Sequence, residues 1–149
     1  MPVFGKRGLY YMENPKEGKG TRKDLCLYRI QTAKENLNAS RILLAAGEYK
    51  SSNNRSYYAI FHAINAVHAL NGKSYKRHKD AVGNFNKDYV KNEIFPREIG
   101  WKIGQAEEIK HASDYDDFYI ASREEADRQV MSADEFIQMA EKYCMKKLQ

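Results

Sequence analysis

Apolar residues in this chain recur at steps of three and four and almost never at steps of two, which confines it to helices packed on helices. Leu27, Ile30, Ala33, Leu37, Ser40 and Leu44 trace one stripe, and Gly47 supplies its stop. A second helix is expected to open near Ser51 or Ser52, both good N-caps, and to end at Asn71-Gly72. Its core stripe is Tyr57, Phe61, Ile64 and Val67. A third, roughly 78–91, presents Val82, Phe85 and Tyr89. A fourth begins around Pro96 and presents Ile99, Ile103 and Ala106, with Gly100 and Gly104 either weakening the helix or marking close packing. The last opens on a Ser122–Glu125 capping box and runs Ala126, Val130, Ala133, Ile137, Ala140 and Cys144. Short connections favour antiparallel neighbours. The expected fold is all-α, an antiparallel bundle of about five helices.

At 149 residues the chain suits one domain, large enough to bury about 68–70% of the surface its unfolded form exposes. Such a core needs no disulfide or metal. Cys26 and Cys144 lie near opposite ends with no CxxC or Cys/His spacing. They read as free thiols in a reducing compartment, with an intermolecular bridge as the alternative. No apolar run approaches the roughly 18–20 residues of a membrane span, and the N-terminus has no signal-like apolar core, so a soluble, cytoplasmic protein is expected. The net charge of +5 is uneven: residues 1–23 carry six Lys/Arg against Glu13 and Glu17. Residues 1–22 also hold four of the nine glycines and two of the three prolines. That composition divides the chain into a basic arm, 1–22, loose or docked, and a helical body, 23–149. The arm could add salt-sensitive affinity for a polyanion or be a solvated extension. The body is nearly neutral, so bulk charge alone does not define a nucleic-acid binder.

One stretch does not fit a simple core. In "NRSYYAIFHAINAVHAL", Arg55 and His62 stand seven positions apart in an aromatic and aliphatic setting. On an ideal helix they lie within roughly 20° of one another and about 10.5 Å apart along the axis. Their stripe continues as Arg55, Tyr58, His62, Asn65 and Ala69, about 100° from the Tyr57–Phe61–Ile64–Val67 stripe. Ala59, Ala63, Ala66 and Ala69 border it and would let another backbone approach, a second copy of the same helix being the economical candidate. The bland reading of Arg55 and His62 is a hydrogen-bonded pair that stabilises a bundle.

"NRSYYAIFHA", followed some fifty residues later by "SDYDDFYIASREEA", resembles the HEPN domains of bacteria and archaea. These are small all-helical proteins that share an Arg, four to six intervening residues, and a His on one helix. Arg55 and His62, with six residues between them, fit the long end of that spacing. The resemblance covers roughly residues 23 to 145. It implies a homodimer whose two Arg–His helices line a shared cleft. In many members that cleft cleaves RNA without a metal, as a toxin restrained by a small nucleotidyltransferase; members without ribonuclease activity also exist. Two departures stand out. Ser56 follows the Arg where many active members carry Asn, Asp or His, so that an auxiliary polar contact is either missing or supplied by Asn54. Ile64 stands where nucleotidyltransferase-controlled toxins often carry a modified Tyr, with Tyr57 and Tyr58 the nearby hydroxyls.

The residue types suit the implied chemistry. An imidazole with an ordinary pKa near 6.5 can take the proton from a 2′-OH at neutral pH. A guanidinium offers paired donors to the phosphate as it gains charge, which Lys cannot. DNA lacks the 2′-hydroxyl and should resist. Long helical side chains lean toward the helix N-terminus, so Arg55 is expected to point away from His62 of its own chain and toward His62 of a two-fold partner. His62 is thus the candidate general acid/base and Arg55 the phosphate ligand, with Asn54, Tyr58 and Asn65 as substrate-binding candidates. The expected partners are a second copy, RNA or a nucleotide, and a nucleotidyltransferase antitoxin. No cofactor is implied. The competing class is a non-catalytic dimeric module binding a nucleotide or that same partner.

Other titratable residues carry weaker signals. His68 falls roughly 120° from His62 on the helix and reads as solvent-facing or loosely packed. His78, with Lys73, Lys76, Arg77 and Lys79, could guide a phosphate backbone or sit in a solvated loop. His111 has no partner signal. Asp114, Asp116 and Asp117 match no calcium-loop spacing, so they read as turn residues that cap N–H groups or pair with Arg rather than as a metal site. Tyr115, Phe118 and Tyr119 are expected to anchor that turn to the core.

Overall fold

The computed structural model describes residues 19–149, with side chains from Arg22 onward, so the expectation for the arm falls largely outside the described residues. Five α-helices follow in order: α1 (Lys19–Ala45), α2 (Tyr49–Leu70), α3 (His78–Phe85), α4 (Arg97–Tyr115) and α5 (Arg123–Leu148). No strand forms among the described residues. The all-α bundle expected from periodicity is the observed fold. No helix among them is long and apolar enough to cross a membrane.

The helix stops fall where glycine placed them. Gly47 (φ 80°) and Gly72 (φ 69°) take the left-handed conformation that ends α1 and α2. The amides of Glu48 and Lys73 close the two turns onto the carbonyls of Leu43 and His68, at 2.9 and 3.0 Å. A Cβ at Gly72 would meet the Arg22 guanidinium at 2.6 Å, so that glycine also makes room for α1. Ser122 caps α5 as expected, its Oγ accepting from the Glu125 amide at 3.0 Å. The reciprocal half of the box is not made, because the Glu125 carboxylate takes the Tyr119 hydroxyl instead.

Two boundaries differ from expectation. α2 opens at Tyr49, before Ser51 and Ser52. The Gly47 turn delivers the chain directly into helix, and the Ser52 amide already bonds to the Glu48 carbonyl at 2.9 Å. Ser52 is instead a buried bridge, its hydroxyl donating to the Ser40 carbonyl at 2.8 Å. The third helix stops being α-helical at Phe85 and widens into a π-helical turn, Asn86–Val90. Gly100 makes room for it: a Cβ there would stand 3.0 Å from a Val90 methyl. Gly104 meets no such neighbour.

α2 is the central element, packed against α1, α3, α4 and α5. One end of the core is aromatic, with Phe85 against Tyr89, Phe95 and Phe136 at 5.2, 5.1 and 5.5 Å between ring centres. Ala59, Ala63, Ala66 and Ala69 are all buried inside the protomer. The small residues do admit a close neighbour, but that neighbour belongs to the same chain, so they are not a surface for a second copy. Cys26 on α1 and Cys144 on α5 are free thiols, both buried.

Candidate active site around Arg55 and His62

Between Ser52 and Ala69 every residue of α2 is buried except Asn54, Arg55, Tyr58, His62 and Asn65. Those five partly open positions step by one, three, four and three, which is one helical face. Over that stretch, and among the described residues, the helix is enclosed on its other sides and opens to solvent along one seam, the Arg–His stripe.

Arg55 is held in a fixed fork. Its Nε and Nη2 donate to Asn54 Oδ1 at 3.0 and 2.7 Å, and its Nη1 donates to Asn36 Oδ1 on α1 at 2.9 Å. Asn54 is anchored in turn: its amide donates to both carboxylate oxygens of Asp114 at 3.1 and 3.0 Å, and Lys110 pairs with Asp114 at 3.1 Å. Asn54 Oδ1 is thus the polar neighbour of the guanidinium on α2, whereas Ser56 is fully buried and its hydroxyl finds no partner among the described residues. An open depression of about 380 Å³ lies at this end, lined by Lys50, Ser51, Asn54, Arg55, Ser113 and Asp114.

Tyr58 sits among cations, with the Arg55 guanidinium 4.8 Å and the Lys110 ammonium 5.5 Å from its ring centre. The His78 ring meets its edge at 5.7 Å. His62 lies beside Tyr58 and Phe61, at 6.5 and 5.9 Å. Burial, then the positive charges of Arg29, Arg55 and His78, lower its pKa to about 4. The Arg55 guanidinium is thus one of the charges that bear on the imidazole of its own chain. Asn65 contributes its carbonyl to Arg29 Nη1 at 3.3 Å.

At neutral pH His62 is accordingly uncharged and able to accept a proton. Its folded pKa lies below the ordinary 6.5, so its stabilising contribution is complete above about 6.5 and is lost as pH falls through about 4. The His62 Cε1 proton should titrate with a midpoint near 4 by NMR, and Tm should fall less between pH 6.5 and 4 in His62→Gln than in the wild type. A midpoint near 6.5 would mean that packing against Tyr58 and Phe61 does not desolvate the ring.

Several expectations need correction. His68 is not solvent-facing: it is fully buried, with Nε2 2.9 Å from the Ala81 carbonyl. α3 folds over that side of α2, which no periodicity within α2 could reveal. Tyr115 and Phe118 do not anchor their turn, being 69% and 93% exposed, and only Tyr119 is held. Asp116 does close the turn, accepting from the Phe118 amide at 3.0 Å, whereas Asp114 pairs with Lys110 and Asn54 rather than with Arg. His111 rests against Tyr115 at 5.0 Å. Among the described residues no three His, Cys, Asp or Glu side chains cluster as a metal site. Ile64 and Tyr57, at the positions weighed for modification, are both buried.

Sequence reasoning missed Arg29 and Asn36 on α1 and Lys110 on α4. One signal was available: Arg29 and Asn36 repeat the seven-residue spacing of Arg55 and His62, so both helices turn a polar pair the same way.

The fold and seam define a small helical-bundle domain carrying an Arg–His pair on its central helix. Residues 27–143 match the HEPN domain model, and the chain belongs to that family. It is similar to a UPF0332 protein of Thermotoga maritima, 27% identical over 77% of this chain and 87% of that protein. Two proteins of Methanocaldococcus jannaschii, each named "Putative toxin", are also similar. One is 31% identical over 76% of this chain and 84% of its own length, the other 25% over 79% and 80%.

Proposed function

We propose that the chain is a metal-independent endoribonuclease of the HEPN type, the toxin of a toxin–antitoxin pair. One observation carries the reading: the α2 residues between Ser52 and Ala69 left open to solvent are the five that carry the motif's chemistry, Asn54, Arg55, Tyr58, His62 and Asn65. A pair that served only to hold the bundle together would have no need of the single open seam.

In this reading neutral His62 takes the proton of the ribose 2′-hydroxyl. The 2′-oxygen then attacks the adjacent phosphorus, and the Arg55 fork receives the charge that develops on the phosphoryl oxygens. Asn54 and Tyr58 orient the guanidinium and the strand, and Asn65 lies further along the same seam. A homodimer belongs to the reading, the second copy narrowing the cleft from its open side. So does restraint by a nucleotidyltransferase antitoxin, consistent with relatives whose names describe toxins.

The test is cleavage of single-stranded RNA with chelator present. Wild-type protein should leave 2′,3′-cyclic phosphate ends, and His62→Ala should lose at least roughly a hundredfold in rate. RNA left intact by the wild type would favour a non-catalytic module that binds a nucleotide or the antitoxin.

A further inference from the structure

Transesterification at phosphorus moves two protons. One leaves the 2′-hydroxyl; the other must reach the 5′-oxygen as the P–O5′ bond breaks. A guanidinium does not release protons near neutral pH, and His62, the uncharged base, has none to give at that moment. Two other donors stand at the seam, the Tyr58 hydroxyl and the Lys110 ammonium, but the ammonium is engaged by Asp114 at 3.1 Å and both groups part with a proton far less readily near neutral pH than an imidazolium does.

His78 is the side chain positioned to be one. It opens α3, outside the Arg–His motif, and is exposed. Its ring is nevertheless fixed, lying 3.9 Å from the Phe61 ring centre and 6.3 Å from that of Tyr57. Both imidazoles therefore rest against Phe61, His62 at 5.9 Å and His78 at 3.9 Å. Both also stand beside the Tyr58 ring, His62 at 6.5 Å and His78 at 5.7 Å. The groups around His78 are cationic or neutral: His62, Tyr57 and Tyr58 on α2 and Lys110 on α4. On its own segment Asp80 is engaged by Arg77 at 3.1 Å. An imidazole with a fixed ring plane, an open edge and, among the described residues, no carboxylate partner is arranged to serve a ligand rather than the fold.

We propose that His78 is the general acid of this site, giving its proton to the departing 5′-oxygen while His62 receives the one from the 2′-hydroxyl. This rests on the ribonuclease reading. The bookkeeping closes without a co-reactant: the O2′–P bond forms, the P–O5′ bond breaks, and one proton is taken up and one released. The products are a 2′,3′-cyclic phosphate and a 5′-hydroxyl, and solvent returns both imidazoles to their starting states. In the free protein burial and Lys110 lower the pKa of His78. A bound phosphodiester backbone supplies the negative charge that favours its protonated form.

An activated leaving group separates a proton donor from a packing residue, because a 4-nitrophenolate departs without protonation. Wild type, His78→Gln, His78→Phe and His62→Ala are compared on an RNA oligonucleotide and on uridine 3′-(4-nitrophenyl phosphate). His78→Phe keeps a ring on Phe61 yet cannot transfer a proton. Both His78 variants should lose roughly 10²–10⁴-fold on RNA while cleaving the nitrophenyl ester within a few-fold of wild type. His62→Ala should lose both activities. If either His78 variant cuts RNA at the wild-type rate, or loses the two substrates equally, the assignment is overturned while the ribonuclease reading stands. A wild type inert toward both substrates overturns the reading and the assignment together.

Discussion

Arg55→Lys is expected to lower single-turnover RNA cleavage by roughly 10²–10³-fold although the charge is retained. The guanidinium is fixed by three hydrogen bonds to two asparagine oxygens, Asn54 from its own helix and Asn36 from α1, and by the Tyr58 ring against it. Asn54 is oriented by Asp114, and Asp114 by Lys110. The relay runs from α1 through α2 to α4 and holds the plane of the fork before any substrate arrives. Lysine offers a mobile point charge on a flexible stem and cannot satisfy Asn36 and Asn54 in that geometry. It would neutralise a bound phosphate in the ground state but would meet the transition state with poorer aim. Binding of uncleavable 2′-deoxy RNA should therefore change by only a few-fold, while the chemical step collapses. A lysine variant within fivefold of wild-type rate would mean that charge alone suffices and that the relay is scaffolding.

Much of the architecture was legible because local rules and the fold agree. Gly47, Gly72 and Ser122 end or begin helices for reasons contained within a few residues. The apolar stripes of α2 to α5 are buried as their spacing predicts. The parts that were not legible depend on what packs against a helix from elsewhere. A stripe argument gives a helix one buried face, yet α2 is enclosed by four other helices, so His68 is buried on a side that its own sequence leaves polar. Ser52 looked like a cap because caps and close-packed helix crossings both favour a small hydroxyl. The π-helical turn at Asn86–Val90 leaves no periodic mark over five residues. Tyr115 and Phe118 show the opposite failure: aromatic side chains in a turn suggest an anchor, but the turn is closed by Asp116 and Tyr119. The candidate site follows the same division. The residues on α2 can be read from one helix, whereas Arg29, Asn36, His78 and Lys110 enter from three other segments and meet only in space.

The largest expected loss of stability lies away from the seam, at Phe85. Its side chain is fully buried and touches the rings of Tyr89 in the π-helical turn, Phe95 before α4, Phe136 on α5 and His68 on α2. These rings join four segments through one residue, and the surrounding aromatics are too rigid to collapse into the space it would vacate. Phe85→Ala should cost about 3–5 kcal/mol. For a chain of this length that lowers Tm by roughly 10–15 °C. Phe118→Ala serves as the comparison: at 93% exposed it should change stability by no more than about 0.5 kcal/mol. Urea midpoints read with an unchanged m-value give both numbers. A cost below about 1.5 kcal/mol at Phe85 would show that the aromatic end of the core repacks freely. The fixed placement of α3, and with it of His78 at its first turn, would then have no rigid foundation.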